Sequence, residues 1–427
     1  MKYLISNTKT SDSSEASPVG RFGGASYIFP NGFRLICKHE KTPVVYCGLA
    51  INTGSRDEYE NEFGMAHFVE HLLFKGTKKR TSAHIINRLE NVGGDLNAFT
   101  AKEETVVYSA ILKEYVERAV ELIADITTNS TFPQKEIDKE IEVVLDEIEM
   151  YNDSPSDLIY DDFEEMLFAN HSLAHHILGK SDLLKKYKTA DAAQFVERQY
   201  RAENMVFFVV GDVPFKKVVY WCEKYFQFEN SPKSAKERKS PIEYKPTQRI
   251  FEKNTHQMHV AIGNRAYDLY NDDRLAMYLL NNILGGPGMS SLLNLSLREK
   301  RGLVYNVDST YQPFSDTGEW CVYFGCDPTN ASKCEQLVYN ELRKLRDKKL
   351  SDTLLKKYKL QLMGQMAISA ENRESTALSI GKSFLRYGKV DELDEVKRKI
   401  NLVTAEQLQR IANEVFLPEK LSVLKYK

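Results

Sequence analysis

The stretch HFVEHLLFKGT, residues 67–77, combines two histidines and a glutamate with apolar neighbours. On a helix, His67 and His71 are four residues apart, so they lie on one face about one turn from each other and can share a single ion. Glu70 falls beside the two imidazoles, while the apolar residues of the stretch point to the opposite side. The pattern predicts a helix from Met65 to Lys75 that is anchored in a core and presents a candidate metal site. The alternative interpretation is an ordinary polar helix face.

A zinc ion that acts in catalysis requires a third protein ligand and one position kept for water. The sequence predicts a long helix from Pro133 to Met150 with an apolar stripe that faces a core: Ile137, Ile141, Val144 and Ile148. Glu140 and Glu147 project together just beside this stripe, whereas the other acidic residues of the helix point away from it. Glu140 and Glu147 are therefore the candidates to enter the site, the alternative being a solvated acidic helix edge.

The motif His67-x-x-Glu70-His71 and its continuation through Thr77 resemble the inverted zinc motif of the pitrilysin and mitochondrial processing peptidase-like family, the inverzincins. In that family the third ligand is a glutamate about 76 positions beyond the second histidine, and Glu147 lies 76 positions beyond His71. The resemblance implies zinc as the cofactor and Glu70 as the base that activates the attacking water. It also implies that Glu140 orients a ligand and the bound water. Cobalt and manganese accept similar ligands and stay open as the working metal.

Two further stretches are similar to segments of the same family. The stretch GGDLNAFT, residues 93–100, resembles the edge strand to which an extended peptide adds itself through main-chain hydrogen bonds. The residues expected to contact substrate there are Asn97, Ala98, Phe99 and Thr100. The alternative is an ordinary turn followed by a core strand.

The stretch LREKRGLVY, residues 297–305, is similar to the segment that carries the family's Arg/Tyr pair. The resemblance implies that Arg298 and Tyr305 contact substrate near the scissile bond and steady developing negative charge. Without the flanking motif, these two residues would be interpreted as ordinary surface and core residues.

The chain is long enough for two domains, because its 427 residues exceed what one hydrophobic core usually organises. A charged, proline-punctuated stretch, residues 229–246, predicts a linker between an N-terminal zinc-bearing domain, 25–228, and a C-terminal domain, 247–427. Residues 1–24 are rich in Ser, Thr and Pro and predict a disordered lead. We expect an α+β fold of two similar domains that face each other across a chamber, each an antiparallel sheet packed with helices.

The second half resembles the first in weak form, as an internal repeat would. Aligning Gly286 with Gly76 places Met277, Leu280 and Asn281 opposite His67, Glu70 and His71. The C-terminal domain is therefore predicted to keep the architecture without the metal ligands.

The overall charge argues against some partners. With 58 basic and 60 acidic residues the formal net charge is -2, which does not suit a nucleic-acid-coating or membrane-binding protein. No apolar run is long enough for a membrane helix, the first residues lack the core of a secretory signal, and six scattered cysteines suit reduced thiols. We expect a cytoplasmic protein with no nucleic-acid or membrane partner, and leave a periplasmic location open.

Together these features predict a zinc-dependent endopeptidase, of the short bacterial type, that acts on extended peptides. Family members of this length usually need a second subunit to close the chamber, and this chain has both the zinc motif and the Arg/Tyr pair. A homodimer is therefore expected, with a heterodimer with a related subunit as the alternative. Two other functions stay open: a processing peptidase for targeting presequences, and a catalytically silent core or regulatory subunit.

Overall fold

The computed structural model describes residues 17–18, 23–228, 237–241, 244–253 and 255–427. Most of the predicted lead, residues 1–24, and more than half of the predicted linker, residues 229–246, lie outside these ranges. Within the described ranges, no helix has both the length and the apolar composition that a membrane span requires.

The first half of the chain forms a seven-stranded sheet. Its strands are β1 (Ser17–Pro18), β2 (Ala25–Ile28), β3 (Arg34–His39), β4 (Val44–Ile51), β5 (Asn97–Thr100), β6 (Thr105–Leu112) and β7 (Met205–Gly211). Their order across the sheet is β1-β2-β3-β7-β4-β6-β5. β7 is buried along its whole length, as its apolar run MVFFVVG indicates for a strand covered on both faces. β5 lies at the edge of the sheet.

In the described part of the same half, eight α-helices accompany the sheet. They are α1 (Met65–Leu72), α2 (Ser82–Glu90), α3 (Val116–Thr128), α4 (Gln134–Asn152), α5 (Pro155–Leu167), α6 (Ser181–Leu184), α7 (Thr189–Gln199) and α8 (Phe215–Tyr225). The predicted start of α4 is confirmed, because the helix begins directly after Pro133. The helix predicted from Met65 to Lys75 ends earlier, at Leu72.

The described residues of the second half form a five-stranded sheet and six α-helices. The strands are β8 (Gln248–Phe251), β9 (Met258–Ala266), β10 (Val304–Pro313), β11 (Gly318–Cys326) and β12 (Ser422–Tyr426). The helices are α9 (Arg274–Gly285), α10 (Ala331–Asp347), α11 (Asp352–Ser369), α12 (Arg373–Tyr387), α13 (Leu393–Leu402) and α14 (Ala405–Val415). A π-helical segment, Asn294–Glu299, lies between α9 and β10.

The two sheets share one topology. The order β3-β7-β4-β6-β5 in the first sheet corresponds to β8-β12-β9-β11-β10 in the second, with the same directions of pairing. The predicted α+β fold of two similar domains is thereby confirmed. The prediction that each sheet is antiparallel is wrong, because β7 pairs parallel with β3, and β12 pairs parallel with β8. Both returning strands follow long helical connections, which allow the chain to re-enter a sheet in the same direction.

Each half contributes one helix to the other half's core. α5 packs on β9, β11 and β12 of the second sheet, and its Phe163 is fully buried there. α12 packs on β3, β4 and β7 of the first sheet. Gly381 allows the close approach of α12, since a Cβ at this position would lie 2.3 Å from the ring of Phe208. The two halves are therefore interlocked by exchanged helices.

Candidate metal centre

Helix α1 holds two imidazoles side by side. Its residues Phe68 and Leu72 are fully buried in the first core, which sets the rotation of the helix. Gly64 precedes the helix with a φ of 96°, a left-handed conformation that suits glycine. The carboxylate of Glu58 accepts hydrogen bonds from the N–H groups of Gly64 and Ala66 at 2.9 and 2.7 Å. These contacts satisfy donors that the start of a helix leaves without an intrahelical partner.

The three predicted ligands converge. Nε2 of His67 lies 3.2 Å from Nε2 of His71, and each of these nitrogens lies 3.7 Å from Oε2 of Glu147. Glu147 reaches the imidazoles from α4, whose buried residues Ile137 and Val144 anchor that helix in the same core. We call His67, His71 and Glu147 the ligand cluster.

The spacing within the ligand cluster suits a tetrahedral ion. With zinc bonds of about 2.0–2.1 Å, two ligand atoms of a tetrahedral site lie about 3.3–3.4 Å apart. The observed separations of 3.2 and 3.7 Å lie on either side of this value. The side chains of His71 and Glu147 are 23% and 30% exposed, so the cluster is open to solvent. An open position is what a catalytic zinc site requires in addition to three protein ligands.

Glu140 supports the cluster without belonging to it. Its Oε1 lies 2.9 Å from Nδ1 of His71, and its Oε2 lies 2.6 Å from Nζ of Lys75. A carboxylate on the far nitrogen of an imidazole fixes the ring so that the other nitrogen faces the ion. Burial opposes the charge of Glu140, but the hydrogen bonds from His71 and Lys75 outweigh burial and lower its pKa.

The two imidazoles differ in how readily they take up a proton. Burial, followed by the neighbouring His71, lowers the pKa of His67 to about 3, so this ring is neutral at pH 7 and offers its lone pair. Burial also opposes a charge on His71, but Glu140, Glu147 and Glu70 outweigh burial and raise its pKa. A metal ion bound here would compete with a proton on His71.

Glu70 lies on the same helix and is in electrostatic contact with the cluster. Burial raises the pKa of Glu70, and a hydrogen bond and the charge of His71 oppose that rise in part. The hydrogen bond comes from Oγ1 of Thr100, which donates to Oε2 of Glu70 at 2.6 Å. A buried carboxylate with a raised proton affinity is suited to accept a proton.

The predicted substrate strand is β5. Asn97 is exposed, and Ala98, Phe99 and Thr100 are partly buried. Among the described residues, β5 pairs with β6 on one side only, so its other side is an open edge that ends at the hydroxyl contact with Glu70. This geometry leaves room for an added strand next to the ligand cluster.

The predicted Arg/Tyr pair lies in the second half of the chain. Arg298 is part of the π-helical segment and lines a cavity of about 440 Å³, together with residues of α9 and β10. Tyr305 is 70% exposed at the start of β10. No hydrogen bond or ion pair between described residues joins either side chain to the ligand cluster. The structure of one chain therefore does not bring the pair into contact with the predicted ligands.

The second half has no counterpart of the ligand cluster at the aligned positions of α9. Met277 and Leu280 are buried in the second core. Asn281 donates a hydrogen bond from Nδ2 to the carbonyl oxygen of Ser309 and accepts one from the hydroxyl of Ser309. The aligned residues of α9 thus pack or make hydrogen bonds within the second half.

Three contacts around the site were not predicted from the sequence. Lys75 lies four residues after His71, and helical spacing would have placed it near the same acids. The contact of Thr100 with Glu70 and that of Glu58 with the start of α1 connect separate elements. Hydrophobic periodicity has no signal for such contacts, because they depend on how the elements pack.

Comparison with known proteins identifies the family. The family model described as insulinase, peptidase family M16, matches residues 34–181. The model described as the peptidase M16 inactive domain matches residues 187–362. The first of these matches contains the ligand cluster and Glu70, and the second contains the π-helical segment with Arg298.

Relatives and solved structures agree with these matches. An uncharacterised zinc protease of Bacillus subtilis is 32% identical over 391 residues, which cover 91% of this chain and 95% of that protein. An uncharacterised zinc protease of Mycobacterium leprae is 33% identical, with 90% and 88% covered. The crystal structure of a protease from Helicobacter pylori shares the fold, with a TM-score of 0.85, 24% identity and coverage of 95% of this chain and 99% of that chain. The chain therefore belongs to peptidase family M16, the insulinase family, as its pitrilysin-like motif predicts.

Proposed function

We propose that this chain is a zinc-dependent endopeptidase that hydrolyses peptide bonds of extended peptides. The observation that carries the proposal is the convergence of one ligand atom each from His67, His71 and Glu147, all within 4.8 Å of one another. The donor set of two imidazoles and one carboxylate is a common zinc set in hydrolases. The names of the relatives, zinc proteases, support the same metal and the same reaction.

Zinc held by the ligand cluster would supply a Lewis acid for the peptide carbonyl and lower the pKa of the attacking water. Glu70 accepts the proton of that water and later donates it to the leaving amine. Glu140 keeps the ring of His71 oriented through Nδ1, and Lys75 holds the second oxygen of Glu140. Each carboxylate near the cluster therefore has a separate role.

The substrate is expected to be an extended peptide that adds to the open edge of β5. Main-chain hydrogen bonds to Asn97–Thr100 would hold it with little demand on its sequence. The edge strand ends at Thr100, beside Glu70, so a peptide bond of the added strand would lie near the base. This placement supports cleavage within a chain rather than at one end.

We further propose a homodimer in which each copy supplies Arg298 and Tyr305 to the ligand cluster of the other. The exposure of Tyr305 supports this arrangement. It is also supported by Arg298, which has no hydrogen bond or ion pair with the ligand cluster of its own chain among the described residues. Guanidinium and phenol donors near a scissile bond can hold the peptide and stabilise an oxyanion. A heterodimer with a related subunit is the alternative assembly.

The direct test is the Glu70→Gln variant. We expect it to bind zinc like the wild type, measured by elemental analysis, and to lose at least about a hundredfold in kcat on a short fluorogenic peptide. The matched control is Glu142→Gln, an exposed acid on α4 that lies away from the cluster, which should leave kcat unchanged. Retained turnover in Glu70→Gln would remove Glu70 from the role of base. Stoichiometric zinc without cleavage of peptides or folded precursors by the wild type would instead indicate a silent subunit.

A further inference from the structure

Among the described residues, one hydrogen-bond donor outside its own helix reaches the base proposed above. Oγ1 of Thr100 donates to Oε2 of Glu70 at 2.6 Å, a short distance that indicates a strong bond to a carboxylate. Thr100 is the last residue of β5, so its hydroxyl is oriented by the strand rather than by α1. The direction of the Glu70 carboxylate is therefore linked to the position of the edge strand.

The edge strand is continued by a tight turn. Residues 101–104, which we call the hairpin tip, connect β5 to β6, and the N–H of Ala101 donates to the carbonyl of Glu104 at 2.8 Å. The other three residues of the tip are all charged and nearly buried: Lys102, Glu103 and Glu104, with 6%, 7% and 2% exposure. Charged side chains are almost never this buried unless they are paired. Their partners therefore determine where the tip can lie.

Each of the two glutamates has partners in the second half, and Glu103 also pairs with Arg56 of the first half at 2.5 Å. Glu103 accepts hydrogen bonds from the N–H of Ser315, at 2.9 Å, and from its hydroxyl, at 2.6 Å. Ser315 lies in the turn between β10 and β11. Glu104 pairs with Lys382 at 3.0 Å and with Arg386 at 2.7 Å, both on α12. Nζ of Lys382 also lies 5.5 Å from the ring centre of Phe99, so α12 contacts the edge strand as well as the tip.

The remaining contacts hold the tip from the first half. Nζ of Lys102 lies 2.8 Å from Glu164 of α5, the helix that packs on the second sheet, and donates to the carbonyl of His175. The carbonyl of Ala101 accepts a hydrogen bond from the N–H of Ser55 at 3.2 Å. Gly54 allows this approach, because a Cβ there would lie 2.1 Å from the Ala101 oxygen. The tip is thus clamped between the halves.

We propose that Thr100 is a positioning residue for Glu70, and that the second half holds Thr100 in place by clamping the hairpin tip. The proposal rests on the role of Glu70 as the base. β5 is an edge strand with one neighbour, so its own ladder restrains it weakly. The buried charges of the tip supply the missing restraint. The second half, which carries no counterpart of the ligand cluster on α9, thereby acts on the catalytic site of its own chain.

The first test removes the hydroxyl of Thr100. A misplacement of about 1 Å at a catalytic group can cost about a hundredfold in rate, so Thr100→Val and Thr100→Ala should lower kcat about 10- to 100-fold. KM and zinc content should stay unchanged, and Thr100→Ser, which keeps the donor, should restore kcat. Thr127→Val is the matched control, because the hydroxyl of this buried threonine on α3 donates to backbone carbonyls of its own helix and not to Glu70.

A binding measurement distinguishes positioning from substrate contact. In the Glu70→Gln protein, which leaves the peptide intact, adding Thr100→Val should not change the Kd for a fluorescent peptide. A weaker Kd, or a raised KM with unchanged kcat, would overturn the proposal and make Thr100 a substrate contact. If Thr100→Val keeps the wild-type kcat while Glu70→Gln is inactive, the positioning role of Thr100 is refuted and the proposed function stands. An active Glu70→Gln enzyme would remove both this inference and the proposed function.

The second test loosens the clamp. Glu104→Gln removes a charge that faces Lys382 and Arg386, whose side chains are partly exposed and can be solvated instead. We expect kcat to fall severalfold without a change in KM. The double variant Glu104→Gln/Thr100→Val should lose no more kcat than Thr100→Val alone, because both changes act through the hydrogen bond between Thr100 and Glu70. Unchanged kcat in Glu104→Gln, or fully multiplicative losses in the double variant, would contradict the clamp.

Discussion

At the scale of single residues, the ligand cluster combines one imidazole that resists protonation with one that attracts a proton. The pKa of His67 is lowered to about 3, first by burial and then by His71, so its lone pair is available at any pH near neutrality. His71 keeps a raised pKa because the charges of Glu140, Glu147 and Glu70 outweigh burial. The same negative charges that attract a proton to His71 also attract a divalent cation, and a bound cation would displace the proton.

Glu147 supplies the only charged ligand of the cluster, so its removal should affect metal binding before anything else. We expect Glu147→Gln to lower zinc affinity by at least about 100-fold, because even the partners that orient metal ligands contribute about 10- to 100-fold. Glu140→Gln should cause a smaller loss, since it only orients His71. A titration against a chromophoric zinc chelator measures both variants, with Glu142→Gln as the control. Wild-type affinity in Glu147→Gln would exclude it as a ligand.

A second prediction concerns His176, which is remote from the ligand cluster in sequence. Burial would lower the pKa of His176. The carboxylates of Asp162, which lies 3.4 Å away, and Asp161 outweigh burial and raise this pKa, and the charge of Lys102 opposes them in part. Asp162 also accepts a hydrogen bond from the hydroxyl of Tyr426 on β12. A raised pKa in the folded state stabilises the fold below the unfolded pKa of about 6.5, and this contribution is lost as pH rises through the folded pKa.

The wild type should therefore be more stable than His176→Gln at pH 5.5 to 6, and the difference should shrink towards pH 8.5. Urea unfolding of both proteins across this range measures the difference, and titrating groups that do not interact with His176 cancel in the comparison. A difference that grows with pH would contradict the predicted sign.

These residues also show what the sequence could predict. Helical spacing and the resemblance to the family predicted His67, His71 and Glu147, because each of these side chains lies on a regular helix. Thr100 was selected as a residue that contacts substrate, but its hydrogen bond to Glu70 was not predicted. The bond between Thr100 and Glu70 depends on how β5 approaches α1, and no periodic pattern contains that information.

At the scale of elements, the exchanged helices connect the cores of the two halves. The apolar side of α5 is buried on the second sheet and that of α12 on the first, so neither half has a complete core without the other. Local patterns predicted the helices α1 and α4, including the start of α4. An apolar stripe does not specify which sheet it covers, however, and so the exchange was not predictable.

The exchange predicts that a defect in one helix destabilises both halves. Phe163→Ala removes a fully buried ring between α5 and the second sheet and should cost about 3–5 kcal/mol in the free energy of unfolding. The chain has two tryptophans, Trp221 on α8 and Trp320 on β11, which report on different halves. Single-tryptophan variants, Trp221→Phe and Trp320→Phe, allow each half to be followed by fluorescence.

In both single-tryptophan backgrounds, Phe163→Ala should lower the urea midpoint, and the two reporters should shift together. Leu402→Ala is the control, because its side chain is 65% exposed and its loss should matter little. A shift confined to Trp320 would show that the halves unfold independently despite the exchanged helices.

At the scale of the whole molecule, one topology is used twice with different chemistry. The first half keeps the ligand cluster on α1 and α4, while the second half has buried or hydrogen-bonded residues at the aligned positions of α9. The second half instead carries Arg298 and Tyr305, which do not contact the cluster of the same chain among the described residues. The sequence predicted that the metal ligands lie in the first half only, but no local pattern indicates whether Arg298 and Tyr305 act within their own chain or on a second copy.

The proposed homodimer makes a prediction that a monomer cannot satisfy. If Arg298 acts on the ligand cluster of the other copy, chains with Glu70→Gln and chains with Arg298→Ala are each inactive alone, yet a mixed dimer contains one intact site. Random reassortment of equal amounts should then restore about a quarter of the wild-type activity, because half of the dimers are mixed and each has one working site of two.

The control mixture pairs Glu70→Gln with Glu147→Gln, whose defects lie in the same half, and should stay inactive. Light scattering on the same samples checks the mass of a dimer. Recovery in the first mixture only would support a shared site, whereas no recovery in a dimer would mean that Arg298 acts within its own chain.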